Sequence, residues 1–196
     1  MNIAAQPLVQ ADQTIYLKDY QKPAFLVESI HLDIQVYDDH TIVDSTLVMQ
    51  RQATGELILL GRDLELQSIE MNGQLLNVDQ YQLDSEQLLV KNAPDQVIVQ
   101  TKVIIHPESN TQLEGLYKAG DLFVTQNEPE GFRKITFYPD RPDVLAEFTT
   151  RVEADKKYPV LLANGNLLET GEVGEGRHFA IWQDPTKKPS YLFACV

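Results

Sequence analysis

The chain has 196 residues, 43% of them apolar, with 16 Lys and Arg against 29 Asp and Glu for a formal charge of −13. That length fits one domain, and that apolar share fills a core, which excludes bulk disorder. A surface this acidic repels phosphate, so neither nucleic acid nor an anionic membrane leaflet is an expected partner.

In chain order, the opening Met1–Gln13 stretch lacks the basic start and apolar run of an export signal. No apolar run approaches the roughly 20 residues a membrane helix needs. Two-residue alternation then takes over. Ile30, Leu32, Ile34 and Val36 point one way, and His31, Asp33, Gln35 and Tyr37 the other. Asp38-Asp39-His40 marks a turn and 41–51 reads as the returning strand. Further strands are expected at 56–60, 64–71, 74–78 and 87–91, with Asn72-Gly73 as a hairpin signal. Val97, Val99, Thr101, Val103 and Ile105 alternate again, as do Phe148, Thr150, Val152 and Ala154. The remaining candidates are 121–126, 132–138, 158–163, 167–173, 177–183 and 190–196. One short helix is expected at 140–147, with Asp140 as cap and Pro142 in the first turn. Turn residues every eight to twelve positions make this an all-β sandwich or a large curved sheet.

The chain ends on Phe193-Ala194-Cys195-Val196, which reads either as a cut within a strand or as a last strand docked into a sheet. Cys195 is the single cysteine, so an internal disulfide and a thiolate metal cluster are both excluded. A cytoplasmic location is the default expectation. No two of His31, His40, His106 and His178 have H-E-x-x-H spacing, and no nucleophile elbow or phosphate-binding glycine pattern occurs. From its own residues the chain carries no catalytic machinery and no metal site.

The densest segment holds Leu113-Glu114-Gly115-Leu116-Tyr117, then Thr125-Gln126-Asn127-Glu128-Pro129-Glu130-Gly131-Phe132-Arg133, then Tyr138-Pro139-Asp140-Arg141-Pro142-Asp143-Val144-Leu145-Ala146. With Leu162–Asn166, Trp182–Pro185 and Tyr191–Ala194, it resembles the N-terminal domain of the aminopeptidase N family. These are zinc metallopeptidases of the thermolysin-like clan, and the likeness is to their bacterial cytoplasmic, alanyl branch. It covers nearly the whole chain and weakens before residue 20. It implies an extension over 1–20 and a saddle-like β domain over 21–196. The catalytic domain, with its zinc, would then be a partner outside this sequence, and the fragment alone would be inactive.

An aminopeptidase must find a free α-amino group, and a carboxylate does so through charge-assisted hydrogen bonds worth about 1.5–3 kcal/mol each. The resemblance assigns that carboxylate to Glu128 and the lining of the first side-chain pocket to Gln126, so a peptide N-terminus is the implied ligand. It leaves Glu130 structural. It also implies a cis bond after the amine-binding acid, which Pro129 would make inexpensive. Without it, 125–133 is an acidic turn on a solvated face. Arg133, Asp140, Arg141 and Asp143 read as local caps and surface salt bridges, each worth at most about 1 kcal/mol; the competing reading is a substrate-cleft or interdomain contact. The buried side of 113–148 is expected to be unusually apolar. A stand-alone β-sandwich binding or scaffold module remains the alternative function, decided by whether H-E-x-x-H follows downstream.

Overall fold

A computed structural model describes residues 16–196. The first fifteen residues of the expected extension lie outside the described residues. Its last part forms a 3-10 turn at Leu17–Asp19, and Tyr20 donates to Asp143 at 2.8 Å.

Thirteen strands follow among the described residues. They are β1 (Phe25–Val36), β2 (Thr41–Arg51), β3 (Leu57–Leu60), β4 (Glu65–Met71), β5 (Gln74–Leu75), β6 (Tyr81–Leu83), β7 (Gln87–Val90), β8 (Gln96–Ile105), β9 (Gly115–Ala119), β10 (Leu122–Gln126), β11 (Leu145–Asp155), β12 (Asn166–Gly174) and β13 (Arg177–Pro189). The main sheet has eight strands in the order β12-β13-β11-β1-β2-β8-β4-β5. A three-stranded sheet, β3-β7-β6, and the β9–β10 hairpin complete the fold. All pairings are antiparallel except β1 with β11.

Alternation explains the sheet. Ile30, Leu32, Ile34 and Val36 are all buried, and so are Val97, Val99, Thr101, Val103 and Ile105. Phe148, Thr150, Val152 and Ala154 line the same core from β11. A bulge between Val27 and Ser29 lets Phe25 and Val27 join the buried set although they are out of phase with Ile30. The Asn72-Gly73 turn has φ of 53° and 76°, the left-handed pair that a two-residue hairpin requires, and it joins β4 to β5. One hydrophobic cluster draws on all three sheets, through residues such as Leu47, Leu57, Leu88, Leu116 and Phe148.

Four expectations need correction. No helix forms at 140–147. Leu145 and Ala146 pair with Pro189 and Lys188 in the sheet, and the Asp140 carboxylate is taken by Arg133 and Ser190 instead of a helix N-terminus. The 132–138 segment is not a strand: all ten residues from 131 to 140 are buried, leaving no solvent face to alternate with. It holds a 3-10 turn at Phe132–Lys134 and a single bridge from Tyr138 to Leu60. Segments 158–163 and 190–196 shrink to one bridge, Ala163 to Cys195, after a 3-10 turn at Ser190–Leu192. Finally, the described residues contain no cis peptide bond, so Glu128–Pro129 is trans. Glu130 reverses the chain instead, with φ of 72°.

Candidate functional site

The segments that carry the family likeness meet in space. Gly115, from the Leu113–Tyr117 run, pairs with Gln126, and Leu116 pairs with Thr125. Strand β10 therefore ends on Gln126, and the turn that follows carries Glu128.

Alternation sorts this turn into two sides. Gln126 and Glu128 are exposed, while Asn127 between them is buried and Thr125 is half-buried. The Gln126 Nε2 donates to the Glu128 carbonyl at 3.1 Å, which joins the two exposed residues. The Gly131 N–H donates to the Asn127 carbonyl at 3.1 Å and closes the turn. A side chain at Gly131 would put its Cβ 2.4 Å from the Gln126 carbonyl oxygen and 2.8 Å from the Asn127 Cα. Glycine is thus required by close backbone approach.

The two acids of the turn differ in their partners. Glu130 lies 3.3 Å from the Arg133 guanidinium. The Glu128 carboxylate has no hydrogen bond or ion pair among the described residues. A paired carboxylate has spent part of its capacity to take a cation, and an exposed unpaired one has not.

The inward side is anchored. Thr125 Oγ1 accepts from the Cys195 N–H at 2.9 Å and lies 3.2 Å from the Cys195 carbonyl, to which it can donate. Asn127 Nδ2 donates to the Phe193 carbonyl at 2.7 Å. Asn164 holds the same segment from its other side, through the Leu192 carbonyl at 3.1 Å and the Ala194 N–H at 2.6 Å. Side chains here extend the short backbone pairing of Leu162 and Ala163 with Val196 and Cys195. The Phe193 ring packs on Phe132 and Phe148, with centroids 5.2 and 5.7 Å apart. The Asn127 Oδ1 is buried without a partner, a cost of about 1–3 kcal/mol. From sequence, Asn127 stands out only as a departure from the small residue that the resemblance implies at this position, and Thr125 does not stand out at all. The signal was there: polar residues on the inward phase of a strand whose outward phase carries Gln126 and Glu128.

The second charged set divides. Arg133 and Asp140 are buried, 8% and 5% exposed, and their side chains meet at 3.1 Å, so this pair is not a surface salt bridge. The Arg133 N–H and the Ser190 hydroxyl complete the Asp140 carboxylate. Arg141 and Asp143 pair locally at 2.7 Å, and hydrogen bonding from Arg141 holds the Asp143 carboxyl below its ordinary range. Phe137 and Tyr138 are buried within this chain. Burial also pushes the Cys195 thiol up to about 12, which leaves no thiolate at neutral pH.

The described residues do not fit a zinc ion: no three or more His, Cys, Asp or Glu side chains lie together as a ligand set. No helix among them is long and apolar enough to cross a membrane. A crevice of about 430 Å³ is lined by Leu122, Phe123, Tyr158, Val160, Leu161 and Val196 among others; Leu122, Val160 and Val196 are exposed, and Phe123 and Leu161 are buried at its floor.

Comparison with known proteins identifies the framework. Residues 19–192 match the Peptidase M1 N-terminal domain. The chain is 45% identical over 186 residues to the aminopeptidase N of Caulobacter vibrioides, covering 94% of this chain and 22% of that protein. It is 42% identical over 192 residues to the aminopeptidase N of Escherichia coli, covering 96% of this chain and 22% of that protein. Among solved structures, an aminopeptidase A of Legionella pneumophila in complex with aspartic acid superposes with a TM-score of 0.85 at 34% identity, over 91% of this chain and 22% of that one. The chain therefore spans about a fifth of the length of each of these three relatives.

Proposed function

The chain belongs to the peptidase M1 N-terminal domain family, and on that premise we propose that it is the N-terminal β domain of a longer zinc-dependent aminopeptidase, to which it contributes substrate recognition. Glu128 takes the α-ammonium of a peptide, and Gln126 borders the first side chain. The observation that carries this is the contrast within one turn: Glu130 is paired with Arg133, whereas Glu128 is exposed and unpaired among the described residues.

A fixed ammonium sets the distance from the chain end to the first peptide bond, so only that bond reaches the reacting centre. Zinc would be held outside these residues and would supply carbonyl polarisation and water activation when bound. The exposed apolar crevice supports a partner domain, since a patch of this kind is costly to leave in water. Peptide breakdown in the cytoplasm is the setting that suits a chain whose single cysteine is a buried free thiol.

Kinetics of the full-length enzyme on a panel of unblocked aminoacyl substrates test this reading. Glu128→Ala is expected to lower kcat/KM tenfold or more across the panel, because every member carries the ammonium. Gln126→Ala is expected to change the ranking of first side chains. A Glu128→Ala enzyme with unchanged kinetics would leave the domain without the proposed role in amine recognition.

A further inference from the structure

The turn that carries Glu128 has no regular ladder beyond Gln126, so something else must fix the direction of its carboxylate. Three observations bear on this. Asn127 is buried at 3% exposure and immediately precedes Glu128 on the opposite phase. Its amide donates to the Phe193 carbonyl at 2.7 Å, and its Oδ1 is left buried without a partner. An apolar residue of similar shape could fill this place without an orphaned oxygen, so filling space does not account for the amide. The acceptor is itself immobilised: the Phe193 ring is stacked into the Phe132 and Phe148 cluster, and Asn164 ties down Leu192 and Ala194 on either side.

We propose that Asn127 is a positioning residue for Glu128, holding the turn against the Phe193–Cys195 segment so that the carboxylate is presented in one direction. Thr125 supplies the adjacent fastening on Cys195. The inference rests on the reading of Glu128 as the ammonium-binding group. Asn127 touches no substrate; it acts only through the neighbouring backbone. Its loss lets the turn swing, and a wandering carboxylate loses the advantage of preorganisation.

A double-mutant cycle in the full-length enzyme tests this, read as kcat/KM on an unblocked aminoacyl substrate with melting temperatures recorded alongside. Asn127→Ala is expected to lower kcat/KM at least fivefold in the presence of Glu128 and less than twofold in a Glu128→Ala background, since only Glu128 transmits its effect. Where the alanine cavity unfolds the domain, Asn127→Leu fills the space and still removes the donor, and the same cycle is read on it. Equal losses in both backgrounds, or none in either, would overturn the positioning role and leave Glu128 in place. If Glu128→Ala alone changes nothing, the reading of Glu128 fails first and the positioning role with it.

Discussion

At the scale of single residues, the site depends on which polar groups are already satisfied. Glu128 and Glu130 are two residues apart in an acidic turn, and only their partners separate them. Resemblance points to Glu128, but its unpaired state is a property of the fold, because Arg133 reaches Glu130 only after the chain reverses at a φ of 72°. The cis bond that the resemblance implies at Pro129 is absent, and the positive φ in this turn falls at Glu130. Gly131 gives a direct check on how tightly this turn is closed. Gly131→Ala places a Cβ against three backbone atoms, within 2.4 Å of the Gln126 carbonyl oxygen, 2.8 Å of the Asn127 Cα and 3.0 Å of the Gly115 nitrogen. Backbone cannot rotate away as a side chain can, so a destabilisation of about 1–3 kcal/mol is expected. Thermal unfolding should show a fall of about 2–4 °C per kcal/mol. A variant that melts with the parent would mean that the turn relaxes freely.

At the scale of elements, alternation made β1, β2, β8 and β11 legible, because each buries one face and leaves the other wet. The 131–140 segment defeated that logic: all its residues are buried, so no period is left to read. Segment 190–196 reads as a strand for its apolar run, yet its backbone pairing is limited to one bridge at Ala163–Cys195, flanked by the Leu162–Val196 hydrogen bonds, and Asn164, Thr125 and Asn127 add side-chain ties. On the main sheet, β1, β11 and β13 share a chain of charges from Asp33 through Arg151 and Glu153 to Arg177, with contacts of 2.8, 2.6 and 2.8 Å. Burial opposes the charged form of Glu153, but hydrogen bonds from Arg177 and Arg151 outweigh it and hold the carboxyl below its ordinary range. A depressed folded value means that the stabilisation is full above the unfolded value of about 4.3 and is lost as pH falls through the folded one. Glu153→Gln should therefore cost about 2 kcal/mol at pH 7, with the difference from the parent shrinking towards zero in acid. Denaturant titrations over a pH series from 7 down to the acid limit of folding read this, and a difference that stays constant throughout would contradict it.

At the scale of the whole molecule, the chain is a β framework that brings Leu113–Tyr117, Thr125–Arg133 and Tyr191–Ala194 together, with Glu128 unpaired there among the described residues. It spans 22% of the length of the Caulobacter vibrioides and Escherichia coli aminopeptidases N, and none of its described residues form a zinc ligand set. The isolated chain is accordingly expected to fold, to bind no stoichiometric zinc and to show no turnover of an aminoacyl chromogenic substrate. Thermal unfolding, elemental analysis and an activity assay of the purified chain check the three in turn.

The central claim is that this domain reads the substrate's α-ammonium through Glu128. The most direct measurement compares competitive inhibition of the full-length enzyme by an α-amino acid and by its counterpart lacking the amine, with and without Glu128→Ala. Glu128→Ala is predicted to weaken the amine-bearing inhibitor tenfold or more, a loss of about 1.4 kcal/mol, and to leave the other within twofold. Equal weakening of both inhibitors, or of neither, would contradict the claim.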